Sequence, residues 1–287
     1  MTSSRYEKYI VRKPAYPAVP RAEKSRVPLT YMSRKLVPGC NVTVELGWVR
    51  APGARVAERT YDYDTVVLYI GGDPANPEEL GGVIECRLGG QPLTIDTTSA
   101  LYVPKGVKHG PITWKKFIRP HLEVSLVLGP EGTGRPTARG DVDYEKYLVR
   151  HPRYLQNTDV TDALQGPAGI YVSSDLIPGA KAYIDFGWIG GIPRPNPPIP
   201  DHSHDYAEVV LNIGGDPAHP EDLGAEIEFC IDGEPLTFDT TAAVYAPKGI
   251  KHGPLTWKRL DRPHLLMPIV IGTGSLAQAA PAGYKEK

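Results

Sequence analysis

Hydrophobic positions along the chain occur in short runs, which are separated by segments rich in glycine and proline. Short apolar runs between closely spaced turn residues are typical of a β-sandwich or a β-barrel. In the first half, the predicted strands are Val42–Trp48, Thr65–Ile70, Gly82–Leu88, Leu101–Val103 and His121–Leu128. Each has a counterpart in the second half. Helix is predicted to be minor and confined to Tyr144–Arg153, an equivalent stretch near Tyr6, and Asp159–Gln165. We therefore expect an all-β fold.

Several strings of residues recur in the same order, so the chain contains two near-copies of one unit. Ile-Gly-Gly-Asp-Pro occurs at 70–74 and again at 213–217. Lys-His-Gly-Pro-x-Thr-Trp-Lys occurs at 108–115 and again at 251–258. Chance does not produce such a series twice in the same order. These strings therefore mark a duplication, and they align the second copy with the first.

The repeat predicts two domains, 1–138 and 139–287, joined by the segment 129–136, which has a linker composition. The second copy has gained residues relative to the first, and the last three of them fall in the proline-rich run 192–200. Because this run ends just before His202, we expect the insertion to shape the mouth of a site more than its core.

Length and charge restrict the class of protein. At 287 residues with 41% hydrophobic content, each half is long enough to bury its own core. The formal net charge is -1 and there is no basic block, whereas nucleic-acid binders concentrate Lys and Arg to neutralise phosphates. We expect a small-molecule substrate as the partner, no nucleic acid, and leave a homo-oligomer open.

Cysteine usage and hydropathy favour a soluble cytoplasmic protein. Cys40, Cys86 and Cys230 are odd in number and lack ligand-like spacing, so we interpret them as structural thiols in a reducing compartment. No apolar run approaches the ~20 residues that a membrane span needs. The stretch Met1–Tyr16 has charges where a signal peptide needs an apolar segment. We therefore expect no membrane partner.

A candidate metal site occurs in the second copy. His202 and His204 are two residues apart, so on a strand both would face the same side. Glu208 lies an even four residues further on, and His252, on another strand, can complete the set. Pro247 and Gly249 would form the turn that starts this last strand.

The donor set suits one divalent transition metal per chain and leaves coordination positions open for substrate or water. Three imidazoles and one carboxylate bind Fe(II), Mn(II), Co(II), Ni(II), Cu(II) or Zn(II), and ligand type does not select among these. In the first copy Arg59, Tyr61 and Thr65 align with the first three ligands, and His109 is retained. We expect no metal in the first copy, because one histidine cannot hold an ion firmly.

Further polar residues are candidates for contacts with substrate or for structural roles. Asn212 lies an even number of residues after Glu208 and should face the barrel interior, where it could contact substrate or support the ligands. Tyr206 flanks the ligands, and a role in the pocket stays open. His121 and His264 both follow Arg-Pro in their own copies, which favours a shared structural role.

The motifs resemble those of the cupin superfamily, and the duplicated chain resembles a bicupin. The first cupin motif, His-x-His, three or four residues, Glu, six residues, Gly, is matched by His202, His204, Glu208 and Gly215. The second motif, Pro-x-Gly-x-x-His, is matched by Pro247, Gly249 and His252. The family also has a glycine before the first motif, and the insertion makes its counterpart here difficult to align. An Asn often follows the histidine of the second motif, where this chain has Thr256. The resemblance implies two tandem double-stranded β-helix, or jelly-roll, barrels with few helices.

The resemblance leaves three functions open, because a fold and a metal do not fix a reaction. The first is a non-haem dioxygenase of a small enol, aromatic or dicarbonyl substrate, which favours Fe(II), with Glu208 as ligand, catalytic base or both. The second is a redox-neutral lyase, decarboxylase, hydrolase or isomerase in which the ion acts as a Lewis acid. The third is a non-enzymatic binding or storage-type barrel. We expect the first.

Overall fold

A computed structural model of the chain describes residues 4–15, 28–53, 56–129, 135–137, 142–154 and 168–275. Strands dominate these residues, as the sequence predicted. The predicted helix Asp159–Gln165 and positions 130–134 of the predicted linker lie outside the described residues. None of the helical segments that are described is long or apolar enough to cross a membrane.

The strands fall into two series that follow the repeat. In the first half they are β1 (Ile10–Val11), β2 (Leu29–Met32), β3 (Thr43–Val49), β4 (Thr65–Gly71), β5 (Glu79–Leu88), β6 (Gln91–Thr97), β7 (Ser99–Val103), β8 (His109–Phe117) and β9 (His121–Val127). In the second half they are β10 (Leu148–Val149), β11 (Arg153–Tyr154), β12 (Gly169–Val172), β13 (Ala182–Ile189), β14 (Ala207–Gly214), β15 (Asp222–Ile231), β16 (Glu234–Thr240), β17 (Ala242–Ala246), β18 (His252–Leu260) and β19 (His264–Ile271). The five strands predicted in the first half are confirmed as β3, β4, β5, β7 and β9.

The helix predicted at Tyr144–Arg153 is wrong. A single 3-10 turn, Tyr144–Tyr147, is followed by the short strand β10. Leu148 and Val149 pair with Leu101 and Ala100 of β7, so bonding to a distant strand replaces the hydrogen bonds of a helix. The equivalent stretch near Tyr6 behaves in the same way, with a 3-10 turn at Glu7–Tyr9 followed by β1.

The chain divides into two compact units. The unit that we call the N-barrel comprises 14–34 and 41–151, and the unit that we call the C-barrel comprises 1–13, 35–40 and 152–287. The predicted boundary after residue 138 separates the two copies of the repeated sequence. The compact units differ from it because β1 pairs with β17 in the C-barrel and β10 pairs with β7 in the N-barrel.

Each barrel is built from two antiparallel sheets. The N-barrel has a six-stranded sheet in the order β10-β7-β4-β9-β3-β2 and a three-stranded sheet in the order β6-β5-β8. The C-barrel has a seven-stranded sheet in the order β1-β17-β14-β19-β13-β12-β11 and a three-stranded sheet in the order β16-β15-β18. Apolar side chains from both sheets form the core of each barrel, including Val210, Phe229 and Trp257 in the C-barrel.

Two recurrent histidines have structural contacts. Trp114 donates from its indole nitrogen to Nε2 of His121 at 3.2 Å, and Trp257 donates to Nε2 of His264 at the same distance. Burial lowers the pKa of His264 to about 3, so its ring is neutral and can accept this bond. The two histidines thus support the barrels in the same way, as the repeat suggested.

Candidate metal centre

The four predicted metal ligands converge inside the C-barrel. One candidate ligand atom from each of His202, His204, Glu208 and His252 lies within 4.8 Å of the others. In the part of the chain that the structure describes, this is the cluster in which three or more such side chains could hold one ion. Three of the four residues are partly open to solvent, so a small molecule can approach: His202, and His204 and Glu208, whose side chains are each 12% exposed.

Backbone hydrogen bonds between two distant segments set these positions. His202 and His252 form an antiparallel bridge, with amide-to-carbonyl distances of 2.9 and 2.8 Å. The amide of Gly249 donates to the carbonyl of His204 at 2.8 Å. Gly249 has a φ of 76°, a conformation that glycine adopts without strain, which confirms the tight turn predicted before β18.

The prediction that His202 and His204 lie on one strand is wrong. His202 makes an isolated bridge with β18, and the chain bends at 205–206 before β14 begins. Glu208 then pairs with β17 and β19 of the larger sheet. The segment therefore passes from one sheet to the other between the ligands, and this crossing, not strand alternation, brings them together.

Each ligand histidine is oriented by a backbone carbonyl two residues away. The distances from Nδ1 to the carbonyl oxygen are 2.9–3.0 Å, for His202 to Pro200, His204 to Tyr206 and His252 to Ile250. Because a carbonyl only accepts, Nδ1 of each ring carries the proton and donates it. Nε2 is then the nitrogen that can bind a metal, an arrangement typical of metal-ligating histidines.

Glu208 is the common acceptor of the cluster. Its Oε2 lies 3.1 Å from Nε2 of His204 and 3.1 Å from Nε2 of His252. Burial raises the pKa of Glu208, but the hydrogen bonds from these two histidines outweigh that effect and hold the pKa at about 2. Glu208 is thus a carboxylate at neutral pH, which is the form that binds a cation.

These distances and protonation states fit a divalent metal. Two donor atoms that are each about 2.1 Å from one ion, at right angles to each other, lie about 3.0 Å apart. Nδ1 of each ring donates to a carbonyl, so Nε2 of His204 and Nε2 of His252 are the nitrogens that face Glu208. A divalent cation bound by these nitrogens and the carboxylate would offset the buried negative charge of Glu208.

Tyr206 supports the site through His204. Its ring stacks on the imidazole of His204 with centroids 3.8 Å apart and an angle of 14° between the planes. Tyr206 also packs against an apolar cluster that includes Ile170, Tyr183 and Val270. The contact fixes the orientation of a ligand, whereas a direct contact of Tyr206 with substrate stays a prediction.

Asn212 faces the interior, as its spacing from Glu208 predicted. The side chain is fully buried, and both amide atoms lack a hydrogen-bond partner among the described residues. Four strand residues span about 13 Å, so Asn212 lies deeper in the barrel than Glu208 does. A role in substrate binding stays a prediction, and it requires a ligand that extends this far inward.

Asp185, which sequence reasoning missed, is a second carboxyl group in the same barrel. It lies on β13, is 9% exposed, and accepts a hydrogen bond from Tyr183. Burial raises its pKa to about 7, the bond from Tyr183 opposes this, and the charge of Glu208 adds to the rise. Across β19, Glu208 is level with Tyr183, so the α-carbons of Asp185 and Glu208 are two strand spacings apart across the sheet, about 10 Å, and two residues apart along it.

Removal of the metal is expected to destabilise the protein without unfolding it. A ligand at 100 times its dissociation constant stabilises the folded state by about 2.7 kcal/mol, which corresponds to a melting temperature shift of roughly 5–10 °C. The C-barrel keeps its own apolar core when the ion leaves. Thermal melts followed by circular dichroism, with and without chelator, measure the shift. Complete loss of structure at room temperature would show that the metal is structural.

Solved structures with the same architecture are similar to both barrels. AerE from Microcystis aeruginosa aligns at 12% identity over 92% of this chain and 99% of that chain, with a TM-score of 0.56. A Bacillus subtilis oxalate decarboxylase structure, described by its Mn(II) centres, aligns at 11% identity over 89% of this chain and 75% of that chain, with a TM-score of 0.57. YlbA from E. coli aligns at 9% identity over 95% of this chain and 89% of that chain, with a TM-score of 0.51.

No protein-family model and no curated protein sequence matches the chain. At identities this low, the structural similarities show the fold alone. The chain shares the two-barrel fold of these structures, which is the fold that the resemblance to a bicupin implied.

Proposed function

We propose that the chain is a metal-dependent enzyme whose C-barrel performs redox-neutral chemistry, of the lyase or decarboxylase type, on a small oxygen-rich substrate. The observation that carries this proposal is Asp185, a buried carboxyl group on the inner wall of the barrel that contains the four candidate ligands. The likeness to oxalate decarboxylase, a bicupin that catalyses such a reaction, supports it.

The metal ligands define the place of the substrate. His202, His204, Glu208 and His252 would hold one divalent ion, which supplies Lewis-acid stabilisation of negative charge on substrate oxygens. A substrate with two neighbouring oxygens, such as a carboxylate or a dicarbonyl, has the chemistry to bind there. Apolar parts of the substrate would pack against the cluster formed by Ile170, Tyr183, Val270 and their neighbours.

Asp185 has the properties of a proton donor. A lyase or decarboxylase leaves negative charge on carbon when a bond breaks, and this carbon must then receive a proton. With a pKa of about 7, Asp185 is about half protonated at neutral pH and can both release and regain a proton. The hydrogen bond from Tyr183 orients the carboxyl group of Asp185.

A dioxygenase, the function that we expected from the sequence, is the second candidate. The donor set of three imidazoles and one carboxylate favours it as much as it favours a lyase, because that set also suits Fe(II). The lyase reaction uses a proton donor such as Asp185, and this residue is our reason for placing the lyase first. Iron, manganese and the other divalent metals named above stay open as the native ion.

Oxygen dependence separates the two candidates. We would incubate the metal-loaded protein with small hydroxy acids, dicarboxylates, diketones and hydroxylated aromatics, and follow substrate loss by mass spectrometry with and without oxygen. We expect equal turnover in both conditions and no oxygen uptake. Turnover that requires oxygen in a fixed ratio to substrate would establish the dioxygenase instead.

Asp185→Asn is expected to lower turnover by roughly 10²-fold and to remove one limb of the pH profile. In the wild type, the donor is lost as pH rises through the pKa of Asp185, about 7, so kcat/KM should fall above that pH. A bound cation offsets the charge of Glu208, so the midpoint should lie at or below about 7. Tyr183→Phe removes the bond that lowers this pKa, and should move the midpoint upward.

The stability of the same variant provides the control. A carboxyl whose pKa is raised in the folded state makes folding less favourable as pH rises from about 4, its unfolded value, through about 7. Asp185→Asn should therefore melt no lower than the wild type at pH 8, although its activity is reduced. A variant that keeps the wild-type pH profile would show that Asp185 is not the proton donor.

A further inference from the structure

The first copy keeps the backbone of the metal site but only one of its four ligand residues, His109. Arg59 and His109 form the same two-bond bridge as His202 and His252, with amide-to-carbonyl distances of 2.7 and 2.8 Å. The amide of Gly106 donates to the carbonyl of Tyr61 at 3.0 Å, as Gly249 does in the second copy. The backbone positions of Arg59, Tyr61 and His109 therefore correspond to those of the histidine ligands in the C-barrel.

These residues border a cavity that lies entirely within the N-barrel. Its volume is about 180 Å³, and its lining includes Arg59, Tyr61, His109, Glu45 and Glu123. If the first copy had lost its metal and gained no other ligand, apolar side chains could fill this space and the barrel would stay stable. Here the space is open and its wall carries charges of both signs.

The two carboxylates lie on neighbouring strands. Glu45 of β3 is opposite Ser125 of β9, and Glu123 of β9 is opposite Gly47 of β3. The two residues are diagonal neighbours on the inner face, and the α-carbons of such pairs are about 7–8 Å apart. One positively charged group of a ligand can therefore lie between them.

Arg59 and Tyr61 form the other side of the cavity. The guanidinium of Arg59 donates a hydrogen bond to the hydroxyl of Tyr61. Burial raises the pKa of Tyr61, Arg59 lowers it, and the charges of Glu123 and Glu45 raise it further. Both carboxylates thus act on the Tyr61 hydroxyl, and the cavity has a cationic side and an anionic side close to each other.

The second copy shows that the fold does not require the charge of Glu123. The alignment places Leu266, which is 8% exposed, where the first copy has Glu123, which is 5% exposed. Burying a carboxylate is costly compared with burying a leucine. The acidic residue is therefore retained in the first copy at a position where the same barrel accepts an apolar side chain.

A metal ion is not the occupant that these residues suit. Glu45, Glu123 and His109 do not bring three ligand atoms within reach of one ion, since among the described residues only the C-barrel cluster does so. An organic cation, which is larger and donates several hydrogen bonds, can bridge carboxylates at this separation.

We propose that the N-barrel binds, without a metal, a small zwitterion that carries a protonated nitrogen group and a carboxylate. The nitrogen group lies between Glu45 and Glu123, and the carboxylate faces Arg59 and the hydroxyl of Tyr61. This site is separate from the metal centre and does not depend on the reaction proposed for it.

The test is a binding measurement on the full chain with the metal removed, so that amino acids cannot bind by chelation in the C-barrel. The probes are a series of aliphatic amino acids from glycine to 6-aminohexanoate, the amines of matching length and the matching carboxylic acids. Ligand-observed NMR and calorimetry measure saturable binding. We expect at least one amino acid to bind, and to bind about 10- to 100-fold more tightly than its matching amine or acid, because each lacks one charge-assisted contact.

Arg59→Gln and Glu123→Gln should each reduce this binding by about 10- to 100-fold while the metal content of the reloaded protein stays at the wild-type value. Arg59 is exposed, so its substitution does not endanger folding, and circular dichroism checks Glu123→Gln. His204→Ala, which acts in the other barrel, should bind the amino acid as the wild type does. Absence of saturable binding by every probe, or binding that both N-barrel variants retain, would overturn the proposal.

Discussion

His204→Ala is expected to abolish stable metal binding and, with it, activity. The substitution removes one of three imidazoles, and it also removes one of the two donors to Glu208, whose Oε2 lies 3.1 Å from Nε2 of His204. The remaining ligands would hold an ion much more weakly, since first-row metals at such sites depend on the full donor set. Metal content after dialysis, measured by inductively coupled plasma mass spectrometry, checks the first effect, and turnover checks the second.

The duplicated chain provides a matched control for this variant. Tyr61 has the backbone position of His204 in the first copy, and its carbonyl accepts the equivalent hydrogen bond from Gly106. Tyr61→Ala removes a ring of similar placement from the N-barrel, and should leave metal content unchanged. If His204→Ala retains its metal, or if Tyr61→Ala loses it, the assignment of the ion to the second copy is wrong.

Glu208→Gln is expected to separate two roles of this residue. If Glu208 acts mainly as a ligand, metal affinity should fall, because a neutral amide oxygen is a weaker donor to a divalent cation than a carboxylate is. If it acts mainly as a general base, the metal should stay bound while turnover falls by roughly 10² to 10⁴. The structure favours the ligand role, because Nε2 of His204 and Nε2 of His252 both converge on the same oxygen, Oε2.

Metal affinity and turnover must be measured on the same preparation of Glu208→Gln. Calorimetric titration of the ion gives the first, and turnover at saturating metal gives the second. A variant that keeps both its metal affinity and near-normal turnover would show that Glu208 has neither role, and the proposed centre would have to be abandoned.

The spacing in the sequence was sufficient to predict four candidate ligands that the structure brings together. Two histidines two residues apart are common, but the further glutamate and the turn before His252 restrict the pattern to one kind of site. We expected strand alternation to place His202 and His204 on the same side, and this was wrong because the two residues do not share a strand. Whether a chain crosses between sheets depends on pairings with distant residues, here with β18 and then with β17 and β19.

Asp185 shows what a search for motifs misses. It is one acidic residue in the apolar stretch 182–189, and it has no neighbour in sequence with which to form a motif. Its position on the inner face becomes clear only when β13 is placed beside β19. One signal was available, because the repeat aligns Asp185 with Glu45, and an acidic residue at the same barrel position in both copies is unusual for a buried strand.

Strand pairing also explains the errors in secondary structure. The repeated Tyr-Glu-Lys-Tyr string predicted a helix, but each copy forms one 3-10 turn followed by a two-residue strand. Strands β6 and β8 were not predicted, because in both the buried positions alternate with exposed or half-exposed polar ones. A search for continuous apolar runs does not detect strands of this kind.

The central claim is that one chain holds one metal ion and that the C-barrel holds it. The most direct measurement combines the metal content of protein purified without a chelating tag with anomalous diffraction at the absorption edge of the metal found. We predict about one ion per chain and a single anomalous peak among the side chains of His202, His204, Glu208 and His252. Two tightly bound ions per chain, or a peak beside His109 in the N-barrel, would contradict the account.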